Sequence, residues 1–496
     1  MAPLKLPTAL GWGLFAVVCF HLAFQESRLA FLVVGYLAGV FELRRSATVR
    51  RAFYSGLVVG LGVYVPPMEF LWTIFGPAAL PLWLILALFH AAFLGMLQRV
   101  QAVAGSLWAL LLAPVLWCGV EYLRSEVWWL KFTWFAAGTV FQNGPQTVLS
   151  TWGVYGIGMV AGWAAGGLLL LREGPRRIQG VGLLAGAAVL VGISFLRPLP
   201  PAEVRPVRVA GVQLEAPGVP EVTMALKQLA RAEPQAELVQ LSEYTFDGEV
   251  PATIRDWCRR ERKWLVAGGR QAIGQASGGG ADHGEHRPLE RGAAGSGERF
   301  YNTAFVVSPD GEVVFSQAKS RPIQFFKDGE PAPHQRLWES PWGRLGVAIC
   351  YDASYRRVMD ELVRAGAEGL LVPTMDLETW GEAQHRLNAR MSRLRVLEYG
   401  VPLFRVASSG ISQALNERGE LLASAPFPGP GARLAAEWPL RRGGGRVPWD
   451  SVLAPLCLLM TAAVLIGLIG QSSYSSRHFR RRTSDASDAS SARLPS

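Results

Sequence analysis

Apolar positions along this chain fall into two patterns that occupy different parts of it. Long runs near residues 9 to 24, 28 to 43, 52 to 72, 78 to 97, 105 to 123, 153 to 172, 178 to 196 and 452 to 470 each approach the ~20 residues a spanning helix needs. They predict about eight membrane helices, seven before a polar region and one after it. The first run does not read as a cleaved signal, because further spans follow it closely. The chain therefore divides into a transmembrane region over 1–198, a polar domain over 199–446, a last transmembrane helix over 447–472 and a basic, then disordered, tail over 473–496.

In the polar domain short apolar runs of strand length alternate with segments of helical spacing. Val207 to Val212, Leu238 to Leu241, Trp264 to Gly268, Gly369 to Val372 and Pro402 to Ala407 read as strands, and 222 to 232, 355 to 365 and 381 to 399 as helices. Thr303 to Val307 and Glu312 to Ser316 form a hairpin turning at Pro309-Asp310-Gly311, and a second hairpin turns near Asn416-Glu417-Arg418-Gly419. The alternation predicts an α/β domain with one sheet or two packed sheets. Residues 274 to 299, rich in Gly, Ala, Ser and His, read as a flexible insertion.

Composition agrees with a membrane protein. Half of the 496 residues are hydrophobic, 18% are charged and the mean hydropathy is +0.21, too apolar for an ordinary soluble enzyme of this size. The net charge of +10 is concentrated in short loops: Arg44, Arg45, Arg50 and Arg51, then Arg99, then Arg172, Arg176 and Arg177, then Arg477, Arg480, Arg481 and Arg482. All four groups lie on one side if the N-terminus is cytoplasmic, which puts the polar domain outside. The charge thus reads as a topology signal and a match to anionic lipid, and no nucleic-acid motif accompanies it. The outward loop from Arg124 to Gly153 carries Trp128, Trp129, Phe132, Trp134 and Phe135 beside Lys131. Such rings favour headgroup depth, either beside a lipid access route or as a plain aromatic belt.

Of five cysteines, Cys19, Cys118 and Cys457 fall in apolar runs, leaving Cys258 and Cys350 outside; that is too few for a disulfide framework. His283, His286, His334 and His385 show no metal-ligand spacing, and no metal or cofactor is expected. Cys350 ends the strand-like run Leu345 to Ile349 and precedes a helix. Strand ends of α/β proteins face ligand crevices, and a nearby helix N-terminus favours the thiolate. The competing reading is an inert buried cysteine. Glu243 and Lys319 also follow strand-like runs, and with a thiolate they form a complete set for acyl chemistry. The thiolate attacks a carbonyl, the carboxylate moves protons and the ammonium steadies the oxyanion.

In that order the three residues resemble the Glu-Lys-Cys triad of the nitrilase superfamily, and Gly346-Val347-Ala348-Ile349-Cys350-Tyr351-Asp352 resembles its nucleophile motif. Tyr301-Asn302-Thr303 is similar to the same family. The placement of the domain between seven helices and an eighth resembles one membrane branch, apolipoprotein N-acyltransferase. So do Tyr122-Leu123-Arg124 through Trp134, Gly153-Val154-Tyr155-Gly156, and Arg395 to Glu398 in the helix after Trp380.

The resemblance implies an α-β-β-α sandwich on a helical bundle in the bacterial inner membrane, with the catalytic domain periplasmic. It implies acyl transfer from a phospholipid, typically phosphatidylethanolamine, through a Cys350 thioester to the N-terminal amine of a diacylglyceryl-cysteine lipoprotein. By likeness Glu243, Lys319 and Cys350 are catalytic, and Asn302, Glu330, Tyr351, Asp352 and Trp380 support them or bind substrate. The chain departs from the family where Ser242 replaces a usual proline, where Asp352 replaces a usual glutamate, in having no tryptophan between Gln213 and Glu243, and in its short stretch from Lys319 to Cys350. Two rivals remain, a membrane-anchored amidase and a non-catalytic lipid-binding scaffold. A small polar pocket would favour the first, and a scattered triad the second.

Overall fold

The computed structural model describes residues 3–273, 299–429 and 431–491, with side chains described as far as Gln471. The expected insertion, apart from Arg299, lies outside the described residues, as do His283, His286 and the end of the tail. The helices of the first region are α1 (Leu6–Gln25), α2 (Leu32–Glu42), α3 (Val49–Tyr64), α4 (Phe70–Phe75), α5 (Ala79–Tyr122), α6 (Gln146–Leu171) and α7 (Arg177–Phe195).

Among the described residues five segments are long and apolar enough to cross a membrane: Leu6–Gln25, Pro66–Val127, Gln146–Leu171, Gly174–Phe195 and Asp450–Gln471. The difference from eight expected runs has local causes. Pro66 and Pro67 end α3 and turn the chain into α4, since proline supplies no amide donor. Gly105, at φ 81°, breaks α5, so two expected runs share one segment. The 11-residue α2 has Val33, Leu37, Val40 and Phe41 fully buried, and its neighbours cover it rather than lipid.

The loops around Arg44, Gln101 and Glu173 meet at one end of this bundle. Arg44 is fully buried and pairs with Glu42 and Glu173, each at 2.8 Å, while also bonding Gln101 and Ser106 at 3.0 Å. At the other end α6 is broken at Gly153 (φ 69°, ψ 178°), a conformation open essentially to glycine alone. The break exposes the amides of Val154 and Tyr155. Glu398 accepts the first at 2.8 Å and Asp450 the second at 3.1 Å.

The second region runs β1 (Val204–Val212), α8 (Val219–Ala232), β2 (Leu238–Gln240), α9 (Ala252–Glu261), β3 (Trp264–Ala272), β4 (Phe300–Val307), β5 (Val313–Ala318), β6 (Leu337–Ser340), β7 (Gly343–Val347), α10 (Arg356–Arg364), β8 (Gly369–Thr374), α11 (Glu382–Tyr399), β9 (Leu403–Ala407), β10 (Ser412–Leu415), β11 (Leu421–Ala425) and β12 (Arg433–Arg441). Helix α12 (Asp450–Ser491) then leaves the domain, so residues 483 to 491, expected to be unstructured, continue that helix.

Two six-stranded sheets form, ordered β12-β1-β2-β3-β4-β5 and β11-β10-β9-β8-β7-β6. Val207, Val209, Val266 and Val306 of the first meet Leu345, Val347, Leu371 and Phe404 of the second in one apolar core. Helices α8 and α9 cover the outer face of one sheet, and α10 and α11 that of the other. This is an α-β-β-α sandwich. The sequence pattern missed α9, whose apolar residues are few; β6, a four-residue edge strand; and β12, whose order comes from pairing with β1.

The aromatic loop after α5 differs in part from an interfacial belt. Trp128 and Trp129 are exposed, but Trp134, Phe135, Ala136 and Ala137 turn back into the bundle and are buried. The Glu121 carboxylate holds them there by accepting the Ala137 amide at 2.7 Å.

A methyl group at Gly153 would stand 2.1 Å from the Asp450 carboxylate. Gly153→Ala should therefore cost roughly 2–4 kcal/mol from backbone strain and overlap combined, seen as a lower melting temperature of the detergent-solubilised protein; an unchanged melting curve would refute this account of the broken helix.

Candidate active site

Glu243 follows β2, where the chain keeps strand pairing for two more residues. Leu241 donates to Val266 at 2.8 Å, and Gly268 donates to Ser242 at 3.1 Å. A Cβ at position 268 would fall 2.6 Å from the Glu243 Cα, so glycine there lets the two backbones close up and fixes where the carboxylate emerges. Lys319 follows β5 on the same sheet, its amide bonded to Asn302 at 2.8 Å. Cys350 comes from the opposite sheet, just after β7. It is the first residue of a 3₁₀ turn, Cys350–Ser354, and has φ +49°. A non-glycine residue in that region is strained by about 1–3 kcal/mol, and such strain clusters at sites of function.

Asp352 couples the two sheets. Its carboxylate accepts the amides of Ser320 (3.1 Å), Arg321 (2.7 Å) and Ile349 (3.3 Å), tying the chain after Lys319 to the turn that presents Cys350. This is a positioning contact, one carboxylate serving three amides.

At the centre Lys319 is fully buried. Its ammonium lies 2.7 Å from Glu243 and 2.8 Å from Asp328. Asn302 donates to both carboxylates, at 2.6 and 2.8 Å, Tyr244 donates to Asp328 at 2.9 Å, and Ile323 donates its amide at 2.6 Å. The second Glu243 oxygen takes the Met375 amide at 2.8 Å, while the Cys350 thiol faces the Met375 carbonyl at 3.7 Å. The backbone of one residue thus touches both Glu243 and Cys350.

Burial alone would lower the Lys319 pKa, but the Asp328 and Glu243 carboxylates outweigh it and hold the ammonium charged. Burial pushes Glu243 above the usual carboxylate range, with Lys319 pulling it back and the Asp328 charge adding to the rise. Burial and then the Glu243 charge push the Cys350 thiol well up, against the pull of Lys319. At rest Cys350 is a thiol, and attack by its sulfur would need a base beside it.

Behind Met375, Asp376 is buried. Burial would raise it, but the Arg405 guanidinium holds it down at about 2. Gln384 and Asn388 donate to it at 3.2 and 2.8 Å, so α11 is locked to the end of β8.

Among the residues singled out from sequence, Glu243, Lys319, Asn302 and Asp352 lie in this one network, with Cys350 against it. Tyr351 is adjacent, its ring edge-on to Trp134 at 6.1 Å. Trp380 lies across the cavity beside Phe326, ring centres 5.9 Å apart. Glu330 is not part of the network: it points out and pairs with Arg299 at 3.0 Å. The acid that meets Lys319 is Asp328, two residues earlier. An Asp-Gly pair in this stretch marks a turn, yet nothing in the local pattern separates 328 from 330. Only the packing that buries one of them does.

Cys350 opens into a cavity of about 870 Å³ including its mouth. Its walls are apolar: Met68, Leu71, Phe75 and Leu86 from α4, α5 and the turn before them, Trp134 from the re-entrant loop, and Phe326 from the α/β domain. Among the described residues no cluster of His, Cys, Asp and Glu could hold a metal.

Residues 16–167 match the apolipoprotein N-acyltransferase N-terminal domain, and residues 209–431 match the carbon-nitrogen hydrolase domain. The chain is 28% identical over 487 residues to the apolipoprotein N-acyltransferase of Brucella suis, covering 86% of this chain and 85% of that one. It is 24% identical over 436 residues to that of Geobacter metallireducens, covering 76% and 79%. A yeast member of branch 10 of the nitrilase superfamily, from Saccharomyces cerevisiae, aligns at 17% identity with a TM-score of 0.37 over 48% of this chain and 91% of that one.

Because the Glu243 charge raises the thiol pKa, Glu243→Gln should make Cys350 alkylate faster with iodoacetamide at pH 8, by about threefold or more. Intact mass, with Cys350→Ala as the blank, reads the rate; a slower variant would contradict the assigned electrostatics.

Proposed function

We propose that the chain is an apolipoprotein N-acyltransferase, a reading its two domain matches and these relatives support, and that it moves a fatty acyl chain from a membrane phospholipid, phosphatidylethanolamine first, to the N-terminal amine of diacylglyceryl-cysteine lipoproteins. The observation that carries this reading is the apolar cavity with Cys350 at its end and membrane helices for walls. An acyl chain fits such a lining, whereas a small polar amide would find few partners in it. The positive-inside pattern supports a bacterial inner-membrane enzyme whose domain over 199–446 faces the periplasm.

In the proposed cycle Glu243 takes the Cys350 thiol proton as sulfur attacks the acyl ester carbonyl. Lys319 and a backbone N–H of the turn after Cys350 steady the oxyanion. The C–O bond breaks, Glu243 returns the proton to the leaving glycerol oxygen, and lysophospholipid departs from a Cys350 thioester. The lipoprotein amine then attacks that carbonyl and yields a proton to Glu243. The C–S bond breaks and the thiol is restored. Lys319 stays charged throughout, since two carboxylates hold it. Keeping the thioester in an apolar cavity protects it from water.

Incubation with phosphatidylethanolamine should add one fatty-acyl mass to the wild type and none to Cys350→Ala, and a diacylglyceryl-cysteine peptide should discharge it. Discharge by water alone would make the protein a hydrolase, and no adduct would remove the proposed intermediate.

The acylation rate should fall as pH drops through the Glu243 pKa, above the ~4.3 of an ordinary glutamate, because the base must be ionised. Asp328→Asn removes a negative charge that raises that pKa, so the acidic limb should move to lower pH. The maximal rate should fall by about 10²-fold as Lys319 loses a partner. An acidic limb that stays in place would exclude Glu243 as the titrating base.

A further inference from the structure

Beyond the triad, a group of cations lies close in the chain to residues that line the cavity. Lys131 lies between Leu130 and Phe132, both of which line the cavity, and Arg321 lies two residues before Ile323, which also lines it. Tyr355 joins them: its hydroxyl donates to the Lys131 carbonyl at 2.7 Å, and its ring carries the Arg321 guanidinium 5.6 Å from its centre. Tyr351, next to the nucleophile, donates to the same carbonyl at 3.1 Å. Arg357, two residues beyond Tyr355, is exposed.

Among the described residues none of the three cations makes a salt bridge, and the buried Arg321 Nε has no hydrogen-bond partner. The Glu126 carboxylate, whose charge is felt by Lys131 and Arg321, forms no salt bridge with them and accepts the Arg356 amide at 3.0 Å and the Tyr155 hydroxyl at 3.4 Å. Burial and then the Arg321 charge depress the Lys131 pKa, with Glu126 pulling it back up and Arg357 adding to the fall, as expected where gathered cations outweigh a single nearby anion. Lys131 also sits at φ +36°, a conformation kept by the two tyrosine hydroxyls on its carbonyl. Beside it Trp128 and Trp129 are 40% and 57% exposed, which sets this rim at headgroup depth.

We propose that Lys131, Arg321 and Arg357 form a phosphodiester site that seats the phosphate of the phospholipid donor while its acyl chain runs down the cavity to Cys350. This rests on the acyl-transfer reading above and adds how donor and acceptor are told apart. A phospholipid brings a phosphate that three cations attract. The diacylglyceryl-cysteine acceptor has no phosphate and carries an amine the same cations repel when it is protonated. The site thus favours the donor when Cys350 is free, and lysophospholipid, which keeps the phosphate, should be a competitive inhibitor of acylation.

The test uses the full-length enzyme in detergent and compares Cys350 acylation, by intact mass, from phosphatidylethanolamine and from diacylglycerol with the same chains, which lacks the phosphate. In Lys131→Gln/Arg321→Gln the ratio of the two rates should fall about tenfold or more, the loss of at least one charge-assisted contact, and Lys131→Arg should restore most of it when Arg321 is intact. Arg357→Gln alters an exposed side chain and should lower the ratio about threefold without disturbing folding. Equal losses from both donors would make the cluster structural, and an unchanged ratio in all variants would refute the site. Millimolar inorganic phosphate should leave the wild-type ratio unchanged; a fall matching the double variant would assign the site to free phosphate and overturn the donor role. No acylation of the wild type from either donor would instead sink the acyl-transfer reading itself.

Discussion

A lysine ammonium with no access to water is the constraint on which the rest of the site depends. Lys319 is fully buried between Glu243 and Asp328, and an unpaired charge there would cost several kcal/mol. Two carboxylates around one ammonium leave an excess negative charge. Asn302, Tyr244 and the amides of Ile323 and Met375 offset it with hydrogen bonds. Every one of these donors must arrive from a different element, so the ion cluster and the fold define each other. It also leaves Glu243 with a raised pKa beside a Cys350 thiol that burial keeps protonated.

A second set of carboxylates connects that site to the bundle. The broken helix α6 offers free amides at Val154 and Tyr155, and these are taken by Glu398 from the α/β domain and by Asp450 at the start of the last helix. Arg395 lies beside Glu398 and donates to the carbonyls of Ala353 and Ser354, at 2.9 and 2.5 Å, in the turn that holds Cys350. Trp134 of the re-entrant loop donates to the Ser354 hydroxyl at 3.3 Å. The nucleophile turn is thus fastened on the membrane side as firmly as on the sheet side. A cavity formed jointly by both parts keeps its shape only while that fastening holds.

The two parts contribute different chemistry to one volume. The sandwich places buried charge and a thiol at strand ends, and the bundle provides an apolar wall from α4 and α5. Cys350 comes from the sandwich and much of the apolar wall from the bundle, so the cavity needs both.

The sequence by itself determined what depends on neighbours along the chain. Apolar runs of spanning length, basic loops, strand-length segments ending at Glu243, Lys319 and Cys350, and the hairpin turns are local signals, because period and length are properties of a short segment. Tertiary structure decided what depends on charge being buried. Asp328 rather than Glu330 faces Lys319 because one of two nearby acids is enclosed and the other reaches Arg299. The re-entrant course of Trp134 to Ala137 needs Glu121 on α5 to receive it. Strand β12 exists through its ladder with β1, and α2 is short because its neighbours cover it. Each of these outcomes is set by the cost of leaving a polar group unpaired or an apolar face uncovered, and that cost is fixed only when distant segments meet.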